Sequence, residues 1–116
     1  MTQLLNTIAI GGLVVLVISK ALAVGFYDSL IRRQFEAHHE SWEADGSHRG
    51  LNWTPPSSRS GSFFGQSRAW NRWLFGTPDW ARSDERALGT LFRFRVVEGL
   101  AAAGIAAVLL AVMLAR

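Results

Sequence analysis

The sequence predicts an all-α membrane protein, a hairpin of two transmembrane helices joined by a helical, tryptophan-rich loop. Two observations lead to this fold class. The apolar residues of the 116-residue chain concentrate in two blocks, one near each end, and each block has the roughly 20 residues needed to cross a bilayer. The middle of the chain is polar, rich in arginine, and contains all five tryptophans.

The first apolar block predicts a transmembrane helix over residues 4–27. Its only charge before the end of the block is Lys20. A secretory signal peptide is the alternative, because residues 21–23 (Ala-Leu-Ala) resemble a cleavage site. Signal peptides carry positive charge before their apolar core, but here no Lys or Arg precedes the block. We therefore expect this segment to be a retained span.

The second apolar block predicts a transmembrane helix over about residues 94–114. Its charges, Arg95 and Glu98, lie close to its beginning. Residues 83–85 (Ser-Asp-Glu) are typical of a helix start, since acidic side chains in the first turn interact favourably with the helix dipole. The span should therefore be part of a long helix over residues 84–115.

Arginines on either side of the loop predict the orientation. Arg32 and Arg33 follow the first span, and Arg86, Arg93 and Arg95 lie before or at the start of the second. Positive residues stay on the cytoplasmic side of a membrane. We expect a multi-pass protein of the bacterial inner membrane, with both termini outside and the loop in the cytoplasm.

Small residues in both spans predict close helix packing, because they let backbones approach. The residues on a four-residue spacing are Gly11, Ser19 and Ala23 in the first span, with Val15 between Gly11 and Ser19, and Gly99, Ala103, Ala107 and Ala111 in the second. The alternative is that alanine is simply common in this chain. The pattern leaves open whether the row packs within the chain or against a partner.

Lys20 and Glu98 are the charges that lie furthest inside the predicted spans. Lys20 is about 10 Å and Glu98 about 6 Å from the loop ends of their spans, at 1.5 Å per residue. Charge inside a membrane is costly and needs a partner or access to water. We favour snorkelling or pairing, with each other or with Arg95, over an ion relay, which would place a charge nearer the midplane.

The loop begins with a predicted amphipathic helix over residues 28–45. Its apolar face combines Ile31, Phe35, His38 and Trp42 at helical spacing, and the residues Asp45-Gly46 that follow are a turn signal.

Residues 46–65 form a Gly-, Ser- and Pro-rich segment. Within it, residues 51–53 could pair with residues 62–64 as a short β-hairpin. Short helices are expected over residues 66–83, with Thr77 as a cap and Pro78 at a first helical position.

The loop tryptophans have three possible settings: a small core within the loop, the headgroup level of the membrane, or a partner's surface. They are Trp42, Trp53, Trp70, Trp73 and Trp80.

The residue types of catalysis and metal binding do not converge in this sequence. There is no cysteine. The adjacent His38 and His39 point about 100° apart on a helix, and His48 stands alone. We expect no enzyme, no metal and no cofactor. The basic residues alternate with acids, so nucleic acid is not an expected partner either.

The run from Trp80 to Arg95 and the Gly-Ser-Phe-Phe stretch at residues 61–64 resemble the universal stress protein B family, whose members are small two-span bacterial inner-membrane proteins. The resemblance extends to length, two terminal spans and a basic, aromatic cytoplasmic loop. It implies a free-standing, stress-related membrane protein.

The function that the residues themselves favour is a non-catalytic accessory subunit that stabilises a larger bacterial membrane complex of respiratory or photosynthetic type. Its partners would be the lipid bilayer and other integral membrane subunits. The alternatives are the stress-related protein, which could form a homo-oligomer, and a small oligomeric transporter or channel that uses Lys20 and Glu98.

Overall fold

The computed structural model describes residues 1–53, 55–56 and 63–116, with the backbone alone at 63–68. The helices in these ranges are α1 (Thr2–Ala37), α2 (His39–Ala44), α3 (Phe63–Phe75), α4 (Asp79–Arg82) and α5 (Glu85–Leu114). The described residues contain no strand, so the all-helical fold class is confirmed. The chain divides into two compact units: a terminal unit of residues 1–23 and 95–116, and a central unit of residues 24–94.

Helices α1 and α5 are each long and apolar enough to cross a membrane. Only 17% of the apolar window of α1 and 22% of that of α5 are buried within the chain. A core helix of a soluble protein would be mostly buried, so these two helices do not fit that description. The chain thus has two candidate membrane-spanning helices, as the two apolar blocks predict.

The long first helix ends earlier than the sequence predicts. We expected continuous helix to residue 45, but α1 ends at Ala37 and His38 leaves the helical conformation, with φ −134° and ψ 51°. There is no Gly or Pro at this point to break the helix. A tertiary contact accompanies the break instead, because His38 Nε2 lies 2.7 Å from a carboxylate oxygen of Asp84.

Helix α2 ends in a Schellman motif. The amide of Gly46 donates to the carbonyl of Glu43, and that of Ser47 to the carbonyl of Trp42. Gly46 has φ +102°, a left-handed conformation that glycine adopts without steric cost.

The prediction of a short β-hairpin between residues 51–53 and 62–64 is wrong for the residues that the structure describes. Phe63 and Phe64 form the beginning of α3, and residues 51–53 have no strand conformation. Residue 62 lies outside the described residues. Helix α3 therefore begins three residues before the Gln66 start that the sequence predicts.

Two aspartates mark the last two helix starts. Helix α4 begins at Asp79, and Pro78 is its N-cap residue. The sequence predicted Pro78 one position later, as the first helical residue. Helix α5 begins at Glu85, and the Asp84 side chain accepts a hydrogen bond from the amide of Ala87 at 3.2 Å. This is an N-cap, which satisfies an amide that the first helical turn leaves unbonded.

Candidate functional site

In the terminal unit, α1 and α5 approach each other at two glycines. A β-carbon built on Gly12 would stand 2.8 Å from the backbone oxygen of Gly104. That distance is too short for any residue with a side chain unless the helices separate. Buried residues recur along both helices at steps of three, four or seven residues, which keep them on one face of each helix. They are Leu5, Gly12, Ser19 and Ala23 on α1, and Val97, Ala101, Gly104 and Ala111 on α5.

The small residues predicted to pack are only partly in this contact. Gly11, Gly99 and Ala103 are exposed, Ala107 is half-buried, and Ser19, Ala23 and Ala111 are buried. A four-residue step advances 400° around a helix, so a four-residue row drifts by about 40° per step. The row therefore turns from the exposed side of α5 at Gly99 to the buried side at Ala111. An average spacing of about 3.5 residues keeps one face toward the partner helix.

Lys20 and Glu98 pair with each other inside the terminal unit. Lys20 Nζ lies 3.0 Å from Glu98 Oε1 and 3.1 Å from Oε2. The Glu98 side chain is 9% exposed and that of Lys20 is 49% exposed. The carboxylate is therefore enclosed by the chain, and the ammonium is the member of the pair that can reach toward water.

The central unit is built around an aromatic cluster. The ring of Tyr27 lies 4.9 Å from Trp70 and 5.6 Å from Trp73, and Trp70 lies 4.9 Å from Phe94. Trp73 continues the cluster to Trp80 at 5.9 Å. Offset and edge-to-face ring pairs at such distances add to the stabilisation that comes from burial.

The tryptophans proposed as interface or partner anchors lie mostly within the chain itself. Trp42, Trp73 and Trp80 are buried, and Trp53 and Trp70 are half-buried. The three buried rings are covered by other residues of the chain, which is the small-core setting among the three that the sequence left open. The periodic pattern placed them on apolar faces correctly but could not show that the loop segments fold onto one another.

Asp84 joins the helices of the central unit. Its carboxylate accepts hydrogen bonds from Arg33 Nε at 2.8 Å and Nη2 at 3.3 Å, besides its contacts with His38 and the amide of Ala87. The Arg33 guanidinium holds the pKa of Asp84 well below its usual range, and His38 and the amide add to this effect against the opposing influence of burial. The ionised Asp84 side chain therefore connects the start of α5 to α1.

A second polar network is buried within the central unit. Gln34, which is fully buried, donates from Nε2 to Asp45 at 2.7 Å, and its Oε1 lies 3.0 Å from His48 Nε2. The carbonyl of His48 accepts a hydrogen bond from Trp42 Nε1 at 2.8 Å. Burial lowers the pKa of His48, and the positive charge of Arg72 lowers it further while Asp45 opposes the shift. The imidazole is therefore held in its neutral form.

A carboxylate of α1 fixes the loop that follows α2. The side chain of Asp28 accepts hydrogen bonds from the amides of Leu51 at 2.6 Å and Asn52 at 2.8 Å. A β-carbon on Gly50 would collide with this carboxylate. Glycine at this position therefore lets the loop approach α1 closely.

Within the described residues, no group of three or more His, Asp or Glu side chains is arranged to hold a metal ion. His38 and His48, which the sequence places ten residues apart, take part in the separate networks of Asp84 and Gln34. His38 and His48 are thus each in hydrogen-bond contact with another side chain of the central unit.

Comparison of the chain with protein-family models, curated proteins and solved structures gives no match.

Proposed function

We propose that the chain is a non-catalytic accessory subunit that binds and stabilises a larger bacterial membrane complex through the exposed side of α5. The observation that supports this proposal is an asymmetry between the exposed faces of the two apolar helices. The exposed face of α5 carries the small residues Gly99, Ala103 and Ala106. On the exposed face of α1 the small residues Gly11 and Ala21 are separated by the bulky Val14 and Ile18, so that face has no uninterrupted run of small residues.

Small residues on an exposed helix face let a second helix approach closely, and van der Waals packing is a main source of helix association in lipid. Bulky aliphatic side chains, in contrast, are well solvated by lipid acyl chains. The face of α5 around Gly99 and Ala103 lies opposite the residues that contact α1, such as Val97, Ala101 and Gly104, at 100° per residue. It is therefore free for a helix of another subunit. In the proposed orientation the central unit lies in the cytoplasm.

The proposal is tested by extracting the full chain from its native membrane in mild detergent and identifying the co-purifying subunits by mass spectrometry. The variant Ala103→Leu adds bulk to the small face of α5. Its matched control, Ala21→Leu, makes the same change on the exposed side of α1. We expect a stoichiometric set of membrane subunits with the wild type and the control, and loss of that set with Ala103→Leu.

Equal recovery of the subunits with both variants would contradict the proposed docking face. A lone species of monomer or homo-oligomer mass would overturn the accessory role. It would leave the stress-related protein or the small transporter, which are separated by whether liposomes containing the chain show an ion flux that Glu98→Gln abolishes.

A further inference from the structure

The central unit has a basic cavity of about 420 Å³ lined by the polar part of α1 and the first turns of α5. Three arginines, Arg33, Arg86 and Arg93, and two hydroxyl residues, Ser29 and Thr90, contribute to its lining. Guanidinium groups bind phosphate oxygens through paired N–H donors. The hydroxyls of Ser29 and Thr90 donate to the backbone carbonyls of Gly25 and Arg86, so the arginines are the donors for an anion. The lining therefore has the chemistry of an anion site.

The positive charge of this cavity is only partly neutralised by the chain. Arg33 is bound to Asp84, and the cavity wall includes one carboxylate, the exposed Glu85. Arg86 and Arg93 are exposed and form no ion pair with any acidic residue in the described part of the chain. Two guanidinium groups, seven residues and about two turns apart on α5, thus remain available to one ligand.

The position of the cavity along the chain indicates which anion would reach it. Ser29 lies two residues after the first apolar segment, and Arg93 lies immediately before the second. Residues that border membrane spans lie at the level of the lipid headgroups, and basic pockets at that level bind anionic headgroups.

Space for such a group is present at Gly89, which lies on α5 between the two unpaired arginines. A β-carbon at this position would meet nothing within 4 Å. The floor of the cavity at this turn of the helix is therefore backbone, which a headgroup can approach and which a larger side chain would fill.

We propose that this cavity binds the phosphate of an anionic membrane lipid through Arg86 and Arg93, with Arg33 held in place by Asp84. The inference rests on the membrane location in the proposed function but needs no partner subunit. A bound headgroup would hold the central unit at the lipid surface.

The test is native mass spectrometry of the purified full chain in detergent, titrated with phosphatidylglycerol or with zwitterionic phosphatidylcholine. The variant is Arg86→Gln with Arg93→Gln. The control is Arg32→Gln with Arg82→Gln, which removes the same charge from arginines that pair with Glu36 and Asp79 outside the cavity. At about 1 kcal/mol per arginine, we expect about 30-fold weaker phosphatidylglycerol binding by the cavity variant and wild-type binding by the control.

A second variant, Gly89→Leu, fills the cavity without changing the charge. Circular dichroism verifies that it keeps the wild-type helix content, and we expect it to lose phosphatidylglycerol binding as well. Equal phosphatidylglycerol binding by the wild type, the arginine variant and the leucine variant would overturn the proposal, as would equal binding of the two lipids by the wild type.

A third arm adds inorganic phosphate in competition. Displacement of the lipid by inorganic phosphate at the same concentration as the lipid would assign the cavity to free phosphate and overturn the lipid proposal. Retention of the lipid would support it. Because every arm uses the purified chain alone, the absence of a partner complex in the native membrane would leave these results unaffected.

Discussion

The backbone oxygen of Gly12 lies 2.7 Å from the point that a β-carbon on Gly104 would occupy. The reciprocal distance, from Gly104 oxygen to a β-carbon on Gly12, is 2.8 Å. The two helices of the terminal unit therefore approach each other through backbone atoms at this level. In lipid, where burial of apolar surface does not drive helices together, such close approach is a principal source of association.

This relationship predicts the effect of Gly104→Ala. One added methyl group has to push backbone atoms apart, so the free energy of unfolding should fall by about 1–3 kcal/mol, as for other overpacked sites. The measurement is unfolding in detergent, followed by circular dichroism. The control is Gly99→Ala, because a β-carbon at Gly99 meets nothing within 4 Å. Equal stability of the two variants would show that the glycine contact does not hold the helices.

Trp73 and Phe75 lie two residues apart at the end of α3 and predict opposite results on truncation. Trp73 is 2% exposed in the aromatic cluster, whereas Phe75 is 85% exposed. Trp73→Ala should lower the free energy of unfolding by about 3–5 kcal/mol, because it leaves a large cavity. Phe75→Ala should change it by about 0.5 kcal/mol or less. A comparable loss for both variants, measured by denaturant unfolding, would contradict the packing described for the central unit.

The Lys20–Glu98 pair predicts an asymmetric double-mutant cycle. Lys20→Met removes the ammonium that pairs with the enclosed Glu98 carboxylate, whereas Glu98→Gln leaves an ammonium that is 49% exposed and can reach water. We expect the lysine variant to be the less stable of the two. The double variant should recover about 0.5–3 kcal/mol relative to the sum of the single effects. Strict additivity in unfolding measurements would mean that the pair contributes no coupling.

Asp84 predicts a loss of stability in acid. Its folded-state pKa is held below its usual value, chiefly by Arg33, so its stabilisation is complete above the unfolded value of about 3.9 and is lost as the pH falls below it. Asp84→Asn keeps an N-cap side chain but removes the charge. The variant should be less stable at neutral pH, and the gap to the wild type should narrow in acid. A pH-independent gap in thermal unfolding would contradict this role.

The sequence predicted the features that depend on local pattern. Apolar length predicted α1 and α5, and the acidic residues after Ser83 predicted where α5 begins. The features that it missed are set by tertiary contacts. Helix phase decided that Gly12, and not the neighbouring Gly11, faces α5, and a four-residue row could not show this because it drifts around the helix.

The central unit gives two further examples of this limit. The break at His38 accompanies a contact with Asp84, 46 residues away in the chain. Arg86 and Arg93 entered the sequence argument only as signals of orientation. Their seven-residue spacing was visible on one helix face, but the cavity between them depends on how α1 and α5 pack near Arg33, which spacing alone does not reveal.

His48 predicts a pH dependence nearer neutrality. Burial among Gln34, Trp42 and Trp73 lowers its folded-state pKa below the unfolded value of about 6.5. Between the two pKa values the unfolded chain binds more protons, so stability is full above about pH 6.5 and falls as the pH drops below it.

The charged groups that act on this ring are Arg72, which adds to the shift, and Asp45, which opposes it. The free energy of unfolding should therefore decrease as the pH falls below about 6.5. His48→Gln cannot be protonated and should lack this part of the pH dependence, although it is less stable at every pH. Thermal unfolding of both proteins between about pH 5.5 and 7.5 makes the comparison. Parallel pH profiles would mean that the imidazole titrates equally in the folded and unfolded chains.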